Sequence, residues 1–288
     1  MLDAICTFDK DNPKTYSIFE FKVLPEAQID KLRYSLLCPV CKQQAYFRRA
    51  SKDGRQACFG SRYHDLDCAE FNPSARKTEE QKQLAEIEKI LLQEDTLRID
   101  FSKQAMVNKD RHKQQAAEEK TQLTAKDPAA KSAVKKDLVV NKGDLNVVKQ
   151  DLPKLLSSLL RGSSLASSDL WIYTSETHKW RAKNLFVNIA DAEPTENGAP
   201  RIYWGTLSHA DNTLHWLNPA EDRRVGVPIA KYRDQLLSRF AIENPRDVEG
   251  AGFIMFGKCV LSKDKKRKYI QLWGNDLHYF YLSKVTDE

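Results

Sequence analysis

The period of the apolar positions changes several times along the chain, and each change predicts an element. Residues 1 to 24 alternate loosely, with Tyr16, Ile18, Phe19, Phe21 and Val23 crowded behind the turn-forming pair Asn12-Pro13, which predicts a short hairpin. Pro25 then opens a predicted helix carrying Ile29, Leu32, Leu36 and Leu37 into Cys38-Pro39-Val40-Cys41. Ala45 to Ala50 reads as a strand and Lys52-Asp53-Gly54-Arg55 as its turn. Thr78-Glu79-Glu80-Gln81 has the form of a capping box, and Leu84, Ile87, Leu91 and Leu92 follow at helical spacing. That helix is expected to pack on the cysteine-rich region.

From Ser102 to Leu170 there is no Phe, Tyr or Trp, and Lys, Gln, Ala, Glu and Asp dominate up to Asp151. Such a composition cannot bury enough apolar surface to fold, so residues 103–150 are expected to be a flexible polar linker. Leu152, Leu155, Leu156, Leu159 and Leu160 then give an amphipathic helix ended by Arg161-Gly162. Strand-like runs follow at residues 170–173, 185–189, 201–204, 213–216 and 225–229, then a helix from Tyr232 to Phe240, then strands at 252–257, 269–273 and 278–282. A meander, a helix and further strands is the element order of a five-stranded OB-like barrel. The expectation is an α+β chain: a zinc-ribbon module with flanking helices over 1–102, the linker over 103–150, and a β-rich, OB-like domain over 151–288.

Composition adds a preference for an acidic partner. The net charge is +6, but 46 basic residues stand against 40 acidic ones, so the excess is modest and decides nothing alone. No apolar run is long enough to span a bilayer and the N-terminus lacks the pattern of a secretory signal, so a cytoplasmic protein without a membrane partner is expected.

Four of the six cysteines lie between positions 38 and 68 around a CxxC core, which in a cytoplasmic chain points to metal rather than to disulfides. A CxxC turn supplies two thiolates from one knuckle, and a structural zinc ion needs two more ligands. His64-Asp65-Leu66-Asp67-Cys68 offers a pair at the spacing of one turn, so Cys38, Cys41, His64 and Cys68 are the expected set. Cys58 in place of His64, or no metal, are the alternatives. Arg48, Arg49, Lys52, Arg55 and Arg62 crowd the same region and form a candidate nucleic-acid surface. The competing reading is that these arginines are solvated or contact the neighbouring domain.

Leu37-Cys38-Pro39-Val40-Cys41, an arginine-bearing strand, Phe59 near a histidine and the late Cys68 together resemble the N-terminal zinc module of the CoiA-like competence proteins, over residues 30–70. Those proteins show a His-Phe-x-His run where this chain has Cys58-Phe59-Gly60-Ser61, and a nuclease domain where this chain has a polar stretch. The resemblance therefore implies a DNA-associated zinc module and not a nuclease.

All five tryptophans lie beyond residue 170, several beside basic residues, as in Lys179-Trp180-Arg181 and Arg201-Ile202-Tyr203-Trp204. Exposed rings can stack bases while cations track phosphates; buried rings would simply build the core. Lys263-Asp264-Lys265-Lys266-Arg267-Lys268, between two predicted strands, places Lys265, Lys266, Arg267 and Lys268 at a basic hairpin tip. No nucleotide-binding or hydrolase motif is present; Glu20-Phe21-Lys22 with Asp9 or Asp11 has the bare outline of a metal-dependent nuclease strand. The expected function is a non-enzymatic, zinc-containing nucleic-acid-binding protein of bacterial or phage DNA processing or defence, with DNA preferred over RNA. The runner-up is an adaptor gripping other protein subunits, and the third reading a nuclease.

Overall fold

The computed structural model describes residues 1–50, 56–65, 67–71, 75–102 and 147–284, without the side chains of residues 75–78. Lys52, Arg55 and nearly all of the expected linker lie outside the described residues. The chain is α+β.

The N-terminal hairpin forms as β1 (Asp3–Cys6) and β2 (Lys14–Ser17), but the apolar run after it is helical, α1 (Ile18–Phe21). A local capping box decides this: Ser17 Oγ accepts from the Glu20 N–H at 3.3 Å, and the Glu20 carboxylate accepts from the Ser17 N–H at 2.9 Å. Next come α2 (Glu26–Leu32), β3 (Leu36–Leu37), β4 (Gln44–Arg48) and β5 (Cys58–Gly60), completing a sheet of order β2-β1-β3-β4-β5. Phe21 fills the space over it, its ring 5.0 Å from Phe47 and 5.3 Å from Phe59.

Helix α3 (Ala75–Gln93) is already running before the expected cap at Thr78, and β6 (Thr96–Asp100) follows it. After residue 146 come β7 (Val148–Asp151), α4 (Leu152–Leu160), β8 (Trp171–Tyr173) and β9 (Lys179–Arg181). Asp151 caps α4, its Oδ1 accepting from the Lys154 N–H at 3.1 Å. These strands form a sheet of order β7-β6-β8-β9, in which β7 and β8 both run parallel to β6. Leu97, Ile99 and Ile172 on its inner face share a core with Ile87 and Ile90 of α3 and Leu155, Leu156 and Leu159 of α4. The sheet thus joins strands from either side of residues 103–146, and α3 packs on α4 while Glu80 ties it to Arg62 of the cysteine-rich module.

A short α5 (Ala182–Leu185) leads through β10 (Phe186–Asn188) to β11 (Arg201–Ala210), β12 (Trp216–Pro219), β13 (Val225–Pro228), α6 (Arg233–Arg239), β14 (Gly252–Leu261), β15 (Lys268–Leu272) and β16 (Phe280–Ser283). Five of these close into a barrel in the circular order β11-β12-β13-β15-β14 and back to β11. The β13–β15 pair is parallel and the other four pairs are antiparallel. Strand β11 serves both sides: residues 201–206 pair with β14 and residues 207–210 with β12, the register with β12 shifting between Leu207 and His209. Such a bulge sharpens the strand's bend, which closure needs. Tyr203, Leu217, Val227, Phe253, Ile270 and Phe280 fill the barrel beneath α6.

The N-terminal module is bolted to the barrel by charge. Arg33, with an almost wholly buried side chain, donates to the Ser208 carbonyl at 2.6 Å and to Glu249 at 3.1 Å, and Arg49 reaches the same carboxylate at 2.6 Å. Arg62 donates to the carbonyls of Gly250 at 3.0 Å and Ser283 at 2.8 Å and pairs with Glu80, which Arg161 also holds. Gly250, at φ +73°, is required where the Tyr46 ring crosses it, since a Cβ there would lie 2.2 Å from the ring.

Candidate functional site

The turn between β3 and β4 is closed by Cys38 N–H to the Gln43 carbonyl at 2.9 Å and Lys42 N–H to the Cys38 carbonyl at 3.1 Å, which turns both knuckle thiols to one side. The loop after β5 supplies the other pair. Cys68 N–H donates to the Asp65 carbonyl at 3.1 Å, and Phe71 packs on Cys38 and Cys68. The ligand atoms of Cys38, Cys41, His64 and Cys68 all lie within 4.8 Å of one another. Cys38 Sγ is 3.8 Å from Cys68 Sγ, and His64 Nδ1 is 3.3 Å from Cys41 Sγ and 3.4 Å from Cys68 Sγ.

These separations test the fit to a metal ion. A disulfide needs about 2 Å between sulfurs, whereas the edge of a tetrahedron with metal–sulfur bonds of about 2.3 Å is roughly 3.8 Å. The cluster can hold a metal ion, and the Val40 N–H, 3.4 Å from Cys38 Sγ, adds a donor to a thiolate there. Cys58 lies apart on β5, opposite Arg48, and is not part of the cluster. Burial pushes the bare Cys38 thiol up to about 11; burial also works against ionisation of Cys41, but the N–H groups of Gln43 and Asp65 outweigh it and lower that thiol.

Two residues upstream of His64 reach away from the cluster into the rest of the chain. Arg62 is buried in the carbonyl contacts above, and the Tyr63 hydroxyl donates to Glu221, at the exit of β12, whose Oε1 also accepts from the Thr206 N–H at 2.7 Å. Although the residue is partly exposed, Glu221 Oε2 is buried with no partner, and burial raises the carboxyl to about 7. A carboxyl with a folded pKa above its unfolded value contributes stability that is complete below the unfolded pKa of 4.5 and is lost as pH rises through about 7. His209 works oppositely: burial, then Arg33 and Arg49, lower it to about 4, so its contribution rises with pH between about 4 and 6.5. The two slopes nearly cancel in the native chain. Glu221→Gln isolates one of them: it should raise stability by under about 1 kcal/mol at pH 5 and by about 3 kcal/mol at pH 8. Urea unfolding at both pH values measures this, and a difference independent of pH would show that Glu221 titrates normally.

Of the expected basic residues that are described, two are drawn into the contact with the barrel. Arg49 is engaged by Glu249, Glu26 and Asp30, and Arg62 is buried; both serve the contact with the barrel. Arg48 ends β4 half-buried. On the barrel, Lys268 is held by the Ala192 carbonyl at 2.8 Å and by Glu193. Lys263, Lys265, Lys266 and Arg267 stand exposed at the β14–β15 tip, which is closed by Ser262 N–H to the Arg267 carbonyl at 2.8 Å, and none of the four makes an ion pair among the described residues. Beside that tip lies a pair that charge counting alone does not reveal. Trp216 of β12 and Tyr269 of β15 meet across β13 with ring centroids 5.1 Å apart. Gly226 between them permits it, a Cβ there lying 3.2 Å from the indole.

Glu20-Phe21-Lys22 falls on α1 and beyond it, with Glu20 spent on the cap and Phe21 in the core, so the strand required by the nuclease outline is not formed. Among the described residues no helix is long and apolar enough to cross a membrane. Fold and site together define an α+β protein in which a three-cysteine, one-histidine cluster is joined to a closed five-stranded barrel. No protein-family model, curated protein or solved structure matches the chain.

Proposed function

We propose that the chain is a non-enzymatic, zinc-stabilised nucleic-acid-binding protein. Three thiolates and an imidazole at tetrahedral spacing suit zinc, and a set of four protein ligands leaves no position for a substrate, so the ion's part is structural. The knuckle, the β4–β5 hairpin and the His64–Cys68 loop read as a zinc ribbon extended by two strands.

The observation that carries the reading is on the barrel. Its circular strand order, with a helix between the third and fourth strands, is that of an OB-fold, whose second and third strands and flanking loops bind oligonucleotides. The ring pair Trp216–Tyr269 sits on that face beside the unpaired cations of the 263–267 tip. Rings stack bases and cations follow phosphates, the combination that single-strand binding uses. The module's resemblance to DNA-associated zinc modules favours DNA.

Fluorescence anisotropy of labelled single and double strands at two salt concentrations tests this. Binding that weakens steeply with salt is expected, because neutralised phosphates release counterions. Changing Lys265, Lys266 and Arg267 together to Ala should weaken binding alike for all sequences and lower the slope of log affinity against log salt by about 2 for a single strand. An unchanged affinity removes the tip from the interface, and no binding at low salt favours the adaptor reading. That reading draws on the exposed apolar Leu2, Phe19 and Val23 of the N-terminal module.

A further inference from the structure

The four-stranded sheet has a second face. Alternation along its strands sends Leu97, Ile99 and Ile172 inward to α3 and α4, and therefore sends Arg98 of β6, Trp171 and Tyr173 of β8, and Lys179 and Arg181 of β9 outward. Register lines them up in rows: Lys149, Arg98, Tyr173 and Lys179 across one level, and Trp171 beside Arg181 on the next. Neither Trp171 nor Tyr173 belongs to any of the hydrophobic cores.

The cations of this face are not matched by carboxylates, although Arg181 donates to the Asp169 carbonyl. Lys149, Arg98, Lys179 and Arg181 make no ion pair with a carboxylate among the described residues, and Arg98 Nε is buried with no hydrogen-bond partner. They lie against the rings instead. The Arg181 guanidinium is 4.0 Å and the Lys179 ammonium 4.7 Å from the centre of the Trp171 ring, and Arg98 is 6.0 Å from the Tyr173 ring. By contrast, the arginines at the junction with the barrel are all matched by carboxylates.

We propose that this outer face is a second binding surface for single-stranded nucleic acid, separate from the barrel. Trp171 and Tyr173, two residues apart on one strand, stand about 7 Å apart. Successive unstacked bases can therefore meet successive rings while Lys149, Arg98 and Lys179 follow the backbone, and an indole layered with a guanidinium is itself a stacking platform. A duplex keeps its bases stacked and gains only the charge contacts. The inference takes its class of ligand from the proposed function but none of its residues.

The test uses the intact, zinc-loaded protein and a thymidine homopolymer long enough to reach both surfaces, with a duplex as comparison. Arg98→Gln with Lys179→Gln should lower the salt slope for the single strand by about 1.4, two phosphate contacts' worth. Trp171→Ala should weaken single-strand binding roughly tenfold and duplex binding little. Because Trp171→Ala could disturb the sheet, photocrosslinking of a bromouracil-substituted strand to the unaltered protein gives an independent reading, with crosslinks expected within residues 171–173. If the wild type binds strands, but all crosslinks fall on the barrel and only the 265–267 substitutions weaken binding, this proposal fails and the barrel reading stands. If the wild type binds no strand at low salt, both fall. A single strand retained equally by all the sheet variants hands the face to another occupant and also overturns the proposal.

Discussion

If the proposed zinc site holds, changing Cys38 to Ser is expected to abolish metal binding at the cluster and to loosen more than the module that carries it. Structural zinc in small modules contributes on the order of 10 kcal/mol of folding free energy, because the ligands converge only in the folded state. Here the loop that provides His64 also provides Arg62 and Tyr63, which are fastened to Gly250, Ser283 and Glu221. When the cluster opens, those groups lose their anchor. Metal analysis should therefore read near zero, and hydrogen exchange should quicken in β11 and β14 as well as in β3 to β5. Cys58→Ser, one strand away, should change neither. Retention of one equivalent of metal by the Cys38 variant would refute the ligand set; faster exchange confined to residues 1–71 would refute the coupling to the barrel.

Glu249→Gln should be the most damaging single change away from the cysteine cluster. It removes one negative charge from between Arg33 and Arg49, and Arg33, whose side chain is 1% exposed, is left with the Ser208 carbonyl and with Asp30 at 3.9 Å. Breaking a buried pair in this way costs about 3–5 kcal/mol, since the remaining charge has been taken out of water without compensation. In a chain of this size that is a fall in melting temperature of roughly 10 °C. Arg33→Met should cost less, because Glu249 keeps Arg49. Thermal unfolding of the two variants ranks them, and the reverse order would mean that packing of the long Arg33 stem, rather than charge, holds the junction.

What could be read from the sequence follows from how local each cause is. The Cys38–Cys41 knuckle and the His64–Cys68 turn are short spacings whose chemistry announces itself, and the structure brings all four together. The meander with its interposed helix was visible as alternation and then helical spacing, whereas closure depends on a parallel pairing of Val225 with Lys268 that no local pattern encodes. Strands β6 and β7 escaped notice because each is short and lies against the polar stretch, with Leu97 and Ile99 as the only apolar residues of β6. For the basic cluster, the choice between the two readings left open turns on distant residues. A count of arginines says nothing about direction, and the carboxylate that draws Arg49 inward lies 200 residues further on. The helical run at Ile18–Phe21 looked like a strand by its apolar content, but two hydrogen bonds of a capping box were enough to override it.

The parallel pairing of β6 with β7 changes the meaning of the long polar stretch between them. A tether sets how far two bodies can drift apart, and their joint affinity for one ligand depends on its length. Residues 103–146 instead leave and rejoin one sheet, their two ends held at opposite ends of neighbouring strands. The two ends of that stretch are fixed by the sheet itself, so its length does not set how far the elements on either side of it can separate.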